Sequence, residues 1–395
     1  MGEITTANWT ARLWGAACGG IAGLSVAAAI AVKNPVFFDH LGWTLLSVWF
    51  IPVIVGFLVG SVWSLVRQRP IREQSSSASR KAVLAGSHIL LLIACLSLWL
   101  WSRANATRPL GPSWPDLLIV GLDGATWDIM DPMMESGELP HLAELCKTGA
   151  LGPLESLSPI RSPLIWTSIA TGRYPEDHGI TGYYETRSDL TSSRLWDVAH
   201  ARGKRVGLFR WLITWPPDRQ FEFTIPSWLA RSPKTWPAQY QFIQELDLNQ
   251  NEIGDPASVT EILHGGIFHG FRIKTAADLA FDFIRSPSDT DESFVRQHMR
   301  SVEPSIDVYL HLLRRFHPQV TAVCLYGMDQ LAHRFWNCFA PEGFDSVDET
   351  RQRLYSDVIP AYYRLADRAL GRVLAVLPQE TTVIVLSDHG MGPDP

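Results

Sequence analysis

The chain has 395 residues and a formal net charge of -6, from 34 Lys and Arg against 40 Asp and Glu. This length allows more than one domain and a large core, and the mixed, slightly acidic charge excludes the strongly basic surface of a nucleic-acid-binding protein. Because the five cysteines show no CxxC spacing, neither a disulfide framework nor a cysteine zinc site is expected.

Three long apolar stretches occupy the first quarter of the chain, at about 13–32, 41–66 and 82–102. Each has at least the roughly 20 residues that a helix needs to cross the hydrocarbon core of a bilayer. We therefore predict a membrane region over 1–103 with three transmembrane helices, followed by a linker over 104–115. A cleaved signal peptide is the alternative for the first stretch, but two further stretches follow it and no clear cleavage site does.

The loops between these stretches predict their orientation. Among Lys and Arg, the first loop contains only Lys33, whereas the second contains a basic cluster. That cluster consists of Arg67, Arg69, Arg72, Arg80 and Lys81. Because basic loops remain on the cytoplasmic side, the N-terminus is predicted to be cytoplasmic and everything after 102 extracytoplasmic, on the periplasmic or extracellular side. A lipid bilayer is then an expected partner.

The rest of the chain alternates short apolar segments with helical patterns. The predicted strands are 116–122, 205–209, 320–326 and 381–386, and the predicted helices are 139–148, 164–170, 276–284 and 361–377. Such alternation is typical of an α/β fold with a mostly parallel sheet flanked by helices, here a single domain over 116–395. The aromatic, irregular stretch from about 210 to 319 is predicted to be an insertion or cap that shapes a substrate pocket.

Ser162 stands at the mouth of the helix predicted over 164–170. The preceding Ser158-Pro159-Ile160-Arg161 is turn material, since a proline disfavours helix at the residue before it. A hydroxyl at the start of a helix lies near unpaired N–H groups and the positive end of the dipole, which suits a nucleophile or a bound anion. Taken alone, the more usual reading of such a serine is an N-cap.

Acidic and histidine side chains follow three of the predicted strands. Asp123 comes directly after the first, Asp329 and His333 follow the third at i,i+4 spacing, and Asp388-His389 follows the last. Residues four apart on a helix share one face, and carboxylate with imidazole is a typical ligand set for zinc or manganese. The alternative, in which each Asp only caps a helix, is favoured for any single site but not for the whole series.

From Asp116 onward these motifs resemble the alkaline phosphatase superfamily, most closely its type I phosphodiesterase/nucleotide pyrophosphatase branch. The resemblance implies that Ser162 is the nucleophile. Thr167 is the alternative, although it lies inside the predicted helix and is less accessible. The resemblance also implies two divalent metal ions, zinc in preference to manganese. One ion would be held by Asp123, Ser162, Asp388 and His389, and the other by Asp329, His333 and a histidine further along the chain.

The last of these histidines would lie beyond Pro395, so the C-terminal part of the fold, and with it the second metal site, is expected to be incomplete in this sequence. The segment Ser162-Pro163-Leu164-Ile165-Trp166 does not fit the Cys/Ser-x-Pro-x-Arg pattern of sulfatases, which argues against sulfate ester hydrolysis.

The predicted function is metal-dependent hydrolysis of phosphoesters, preferably phosphodiesters, through a phosphoserine intermediate in a membrane-anchored extracytoplasmic domain. The expected substrate is a phosphorylated small molecule, lipid or glycan. Two alternatives remain open. One is a transferase that acts on a lipid or an envelope glycan by moving a phospho-group between a lipid and a cell-envelope acceptor, and the other is a truncated or inactive member that binds metal or ligand without turnover.

Overall fold

The computed structural model describes residues 115–248, 256–284, 287, 289–344 and 346–393. The predicted membrane region 1–103 and nearly all of the linker 104–115 lie outside these residues. Within the described ranges, no helix is both long enough and apolar enough to cross a bilayer. The three transmembrane helices therefore stay a prediction from the sequence.

The centre of the domain is a five-stranded sheet in the order β3-β2-β4-β1-β5. The strands are β1 (Leu117–Leu122), β2 (Val206–Phe209), β3 (Phe223–Ile225), β4 (Val320–Leu325) and β5 (Thr382–Leu386). Every pairing between them is parallel. The prediction of a mostly parallel sheet is confirmed, and the four predicted strands agree with the observed ones to within one residue at each end. The three-residue β3 was too short to be predicted.

Twelve helices accompany this sheet in the described part of the chain. They are α1 (Trp127–Glu135), α2 (Pro140–Thr148), α3 (Ser162–Thr171), α4 (Pro175–His178), α5 (Leu195–Ala201), α6 (Gln241–Leu248), α7 (Pro256–Phe268), α8 (Ile273–Ile284), α9 (Thr290–Phe316), α10 (Gly327–Phe339), α11 (Glu349–Tyr355) and α12 (Val358–Leu374). Short 3₁₀ turns lie at Arg187–Asp189, Ala238–Tyr240 and Pro341–Gly343.

Helices cover both faces of the sheet because successive side chains of a buried strand point to opposite sides. In β1, Leu118 and Val120 belong to one core cluster, which includes residues of α9, α10 and α12. Ile119 belongs to a second cluster with Trp166 of α3 and Trp196 of α5. The continuous apolar run of β1 is thus explained by burial on both sides.

The approach of α3 to the sheet depends on Gly121. A Cβ atom added there would lie 2.7 Å from Cη2 of Trp166 and 2.9 Å from Sγ of Cys324. Trp166 has no exposed surface, so a larger residue at 121 would force the indole out of a closely packed core. Glycine in the middle of this strand therefore fixes how closely the helix that begins at Ser162 sits against β1.

The prediction of a cap over 210–319 is wrong for two of the elements in that stretch. β3 extends the sheet beside β2, and α9 packs on β2 and α12 with Val308, Tyr309 and Leu312 fully buried. Both elements belong to the α/β body because their apolar faces are part of the main core cluster. Most of the described residues of this stretch are also in regular secondary structure, since it contains the four helices α6 to α9.

Candidate active site

The carboxyl ends of three neighbouring strands bring the acidic residues together. β1 pairs with β4 on one side and with β5 on the other, so the residues that follow these strands lie along one edge of the sheet. Asp123 follows β1, Asp388 follows β5, and Asp329 is in the first turn of α10 after β4. The backbone N–H of Asp329 donates to the carbonyl of Asp123 at 3.1 Å, which fixes the start of α10 over the end of β1.

Ser162 is the first residue of α3 and is buried against this edge. Its Oγ donates to Oδ1 of Asp123 at 3.3 Å and lies 3.4 Å from Nε2 of His389. One turn further along α3, Nε1 of Trp166 donates to Oδ2 of the same aspartate at 3.1 Å. Both oxygens of Asp123 are thereby held by the helix that carries the serine.

The tautomer of His389 follows from its neighbours. Its Nδ1 lies 2.9 Å from the carbonyl oxygen of Gly390, and because a carbonyl only accepts, Nδ1 carries the proton. Nε2 faces the carboxylates, with Oδ2 of Asp388 at 3.5 Å and Oδ1 of Asp123 at 3.7 Å. A ring N–H bonded to a backbone carbonyl is also the usual state of a metal-binding histidine.

The donor atoms of Asp123, Asp388 and His389 all lie within 4.8 Å of one another. Two further observations show that a divalent cation fits this group. The separations of 3.4–3.7 Å around Nε2 are close to the roughly 3.4 Å between the ligand atoms of a tetrahedral ion bound at about 2.05 Å. Oδ2 of Asp388 is also buried with no hydrogen-bond partner among the described residues.

The electrostatics of the site also favour a bound cation. Burial, followed by the neighbouring carboxylates of Asp388 and Asp329, raises the pKa of Asp123 well above its ordinary value. Burial likewise raises the pKa of Asp388 to about 6. Each carboxylate is costly to ionise away from water and beside other negative charges, so a positive ion between them would relieve the repulsion.

Asp329 and His333 lie next to this group of donors. Oδ1 of Asp329 lies 3.2 Å from Nε2 of His333 and 3.7 Å from Nε2 of His389. The His333 side chain is 70% exposed, whereas that of Asp329 is 18% exposed. The two predicted sets of metal ligands are therefore adjacent, and Asp329 of the second set lies beside His389 of the first.

The expected anion site at the start of the serine helix is largely absent from the described residues. The N–H groups of Leu164 and Ile165 both donate to the carbonyl of Arg161, at 3.0 and 3.1 Å, and Pro163 has no N–H to offer. Thr167, the alternative nucleophile, is buried and its Oγ1 donates to the carbonyl of Pro163 at 2.6 Å. The geometry thus favours Ser162 as the nucleophile and shows that the N–H groups of Leu164 and Ile165 are already bonded to the backbone.

Tyr183 was not found from the sequence, yet its hydroxyl is within hydrogen-bonding reach of the Ser162 hydroxyl and backbone. Burial raises the pKa of Tyr183, so it stays a phenol and a hydrogen-bond donor. Its loop is fixed by the fully buried His178, whose Nδ1 accepts from the N–H of Ile180 at 3.1 Å and whose Nε2 is 2.9 Å from Oγ of Ser168. An aromatic residue in a glycine-containing turn is too weak a signal to identify such a role.

Comparison with known proteins identifies a family. A model of the type I phosphodiesterase/nucleotide pyrophosphatase family matches residues 117–394. Phosphonoacetate hydrolase from Sinorhizobium meliloti 1021, solved with phosphonoformate, is 19% identical with a TM-score of 0.39. The same hydrolase solved with phosphonoacetate gives 17% and 0.35. Both alignments cover 71% of this chain, which spans only 58% of the length of the hydrolase.

In the metal-free protein, Asp388 is expected to reduce folding stability as the pH rises. Its pKa is raised from 3.8 to about 6, so the folded state binds this proton more tightly than the unfolded state does. The stabilisation is complete below pH 4 and is lost as the pH passes through about 6, on the order of 2–3 kcal/mol. Asp388→Asn should remove this pH dependence and make the protein more stable at pH 8.

The measurement is urea unfolding of the full-length chain in a metal chelator from pH 4 to pH 8. Asp131→Asn, at an exposed position, is the matched control and should follow the wild type. Equal pH dependence of the unfolding free energy in wild type and Asp388→Asn would show that folding does not raise the pKa of Asp388.

Proposed function

Because the chain belongs to the type I phosphodiesterase/nucleotide pyrophosphatase family, we propose that it hydrolyses phosphoesters, with phosphodiesters as the preferred class. The observation that carries this proposal is the position of Ser162. Its Oγ lies 3.3 Å from a carboxylate oxygen of Asp123 and 3.4 Å from Nε2 of His389, where a nucleophilic hydroxyl and a charged phosphoryl group can meet.

We propose divalent metal ions as the cofactor, with zinc preferred. Asp123, Asp388 and His389 would hold one ion with Ser162 beside it, and Asp329 with His333 would contribute to a second. A bound ion of this kind lowers the pKa of a neighbouring hydroxyl and stabilises charge on phosphoryl oxygens. The buried Oδ2 of Asp388 and the contiguous positions of all five residues support this assignment.

In the reaction, Ser162 releases its proton to solvent water and its Oγ attacks phosphorus. A bond forms between Oγ and phosphorus, the bond from phosphorus to the departing alcohol oxygen breaks, and that oxygen takes a proton from water. Water then attacks the phosphoserine, the bond to Oγ breaks, and Ser162 regains its proton. Before the first displacement, Asp123 positions Oγ by accepting its hydrogen bond, and Trp166 holds Asp123 by donating to its other carboxylate oxygen.

Tyr183 is proposed to bind a phosphoryl oxygen. Since the N–H groups of Leu164 and Ile165 already donate to the carbonyl of Arg161, the phenol beside Ser162 is a suitable donor to the oxygen on which negative charge develops. Tyr183 is 47% exposed, so a substrate that enters from solvent can reach this residue.

Ser162→Ala should abolish hydrolysis of bis-p-nitrophenyl phosphate, by at least about 10³-fold, because it removes the nucleophile and the buried Thr167 hydroxyl is bonded to the carbonyl of Pro163. Bound zinc should remain nearly unchanged, as measured by elemental analysis. The assay uses the full-length chain with added zinc or manganese, together with Thr167→Val as a control that keeps the shape of the buried threonine. Wild-type turnover by Ser162→Ala, or no turnover by the wild-type chain with two ions bound, would contradict the proposal.

Tyr183→Phe should lower kcat/KM for the same diester by about tenfold, the cost of one hydrogen bond to a charged group. Tyr184→Phe is the matched control, because Tyr184 is adjacent but 90% exposed. An equal loss in both variants, or no loss in Tyr183→Phe, would remove Tyr183 from the site.

The location of the catalytic domain is also a proposal. The support is the sequence alone: the three apolar stretches and the Arg-rich loop over 67–81 place the chain after 102 on the extracytoplasmic side. Protease added to intact cells, or to spheroplasts of an organism with an outer membrane, should therefore digest the domain over 116–395 and leave the Arg-rich loop protected. Digestion only after lysis would reverse the predicted topology.

A further inference from the structure

A second group of polar side chains occupies the other half of the same sheet edge. Arg210 directly follows β2, Tyr326 directly follows β4, and Trp228 lies three residues beyond β3. Neighbouring strands are about 4.8 Å apart, and β4 lies between β1 and β2, so Arg210 is two strand spacings, roughly 10 Å, from Asp123.

Arg210 combines an unusual backbone conformation with a buried, charged side chain. Its φ of 59° lies in the left-handed region, which is strained for a residue other than glycine. This backbone turns the side chain inward, where it is only 3% exposed and forms an ion pair with the buried Asp247. Nε of Arg210 has no hydrogen-bond partner within the described part of the chain.

Two more donors beside Arg210 lack acceptors among the residues that the structure describes. They are the hydroxyl of Tyr326 and Nε1 of Trp228, both buried. All three residues line one cavity of about 30 Å³, together with Asp247, His298 and Gln330. A buried donor without a partner costs free energy, so three of them around one cavity indicate that an acceptor enters it.

The chemistry of the cavity limits what this acceptor can be. The charge of Arg210 is already matched by Asp247, so an anionic group would bring a second negative charge that Arg210 could not also neutralise. A volume of about 30 Å³ holds only a few heavy atoms. An uncharged oxygen group, such as a terminal hydroxyl, hydroxymethyl or carbonyl, meets both conditions.

We propose that this cavity, lined by Arg210, Tyr326 and Trp228, is a specificity site for an uncharged oxygen-bearing group about 10 Å from the reacting phosphorus. The inference rests on the proposed phosphoesterase function of Ser162. Trp228 connects the two sites, since its ring is 6.3 Å from that of Tyr183 and 6.5 Å from that of Tyr326. A substrate arm can therefore pass from Ser162 along these rings to the cavity.

The test is a series of p-nitrophenyl alkyl phosphodiesters with two to ten carbons in the alkyl arm. Each length is made with a terminal hydroxyl and with a terminal methyl group. An extended arm of about six to eight carbons spans roughly 10 Å. The ratio of kcat/KM for the hydroxyl ester over the methyl ester should therefore peak at about tenfold near this length and fall to about one at two carbons.

Tyr326→Phe and Trp228→Phe each remove one of the donors, and each should reduce this peak severalfold. Tyr240→Phe is the matched control, because Tyr240 is also a buried tyrosine but does not line the cavity. It should leave the ratio unchanged at every length. Calorimetric binding of the same esters to the full-length Ser162→Ala chain with zinc should show the same preference without turnover.

A ratio near one at all lengths, with both esters hydrolysed, would overturn the specificity site and leave the proposed function intact. A peak that survives in Tyr326→Phe and Trp228→Phe would place the preference elsewhere and also overturn it. A carboxylate-ended arm that outperforms the hydroxyl would contradict the assignment to an uncharged group. Absence of turnover for every ester would instead count against the proposed function. The binding measurement would then still show whether the cavity prefers the hydroxyl group.

Discussion

The parallel pairing of β1 with both β4 and β5 is the constraint on which the rest of the structure depends. In parallel strands the carboxyl ends meet at one edge, so Asp123, Asp329 and Asp388 converge although they are separated by up to 265 positions along the chain. The convergence has an electrostatic cost, visible in the raised pKa values of Asp123 and Asp388. A buried cluster of this kind is understandable if a cation compensates its charge, since packing alone would be better served by apolar residues.

The core and the candidate active site share one side chain, the indole of Trp166. Its ring fills the space above Gly121, and its N–H holds Asp123 in position. Packing of α3 on the sheet therefore sets the distance between Ser162 and the acidic group, and a change in the core at this point would also displace the nucleophile. Because packed interiors transmit strain, the precision of the site depends on residues that never contact substrate.

The sheet edge divides into two halves with different chemistry. Over β5, β1 and β4 the side chains are carboxylates and histidines, which suit cations and a phosphoryl group. Over β4, β2 and β3 they are Arg210, Tyr326 and Trp228, whose N–H and O–H donors suit the recognition of an uncharged group. Tyr326, at the end of β4, lies at the border. A reactive half and a recognition half on one rigid sheet would allow the substrate to be selected by a group remote from its phosphorus.

The sequence by itself determined the elements whose signal is local. Apolar runs of strand length are followed within four residues by Asp123, Asp329 and Asp388, so both the parallel sheet and the candidate ligands could be predicted. The tertiary structure alone decided the features that depend on contacts between distant segments. Tyr183 reaches Ser162 because buried His178 fixes its loop, and Arg210 points inward because of its left-handed backbone. Neither property leaves a pattern in neighbouring residues, since each follows from what packs around the side chain.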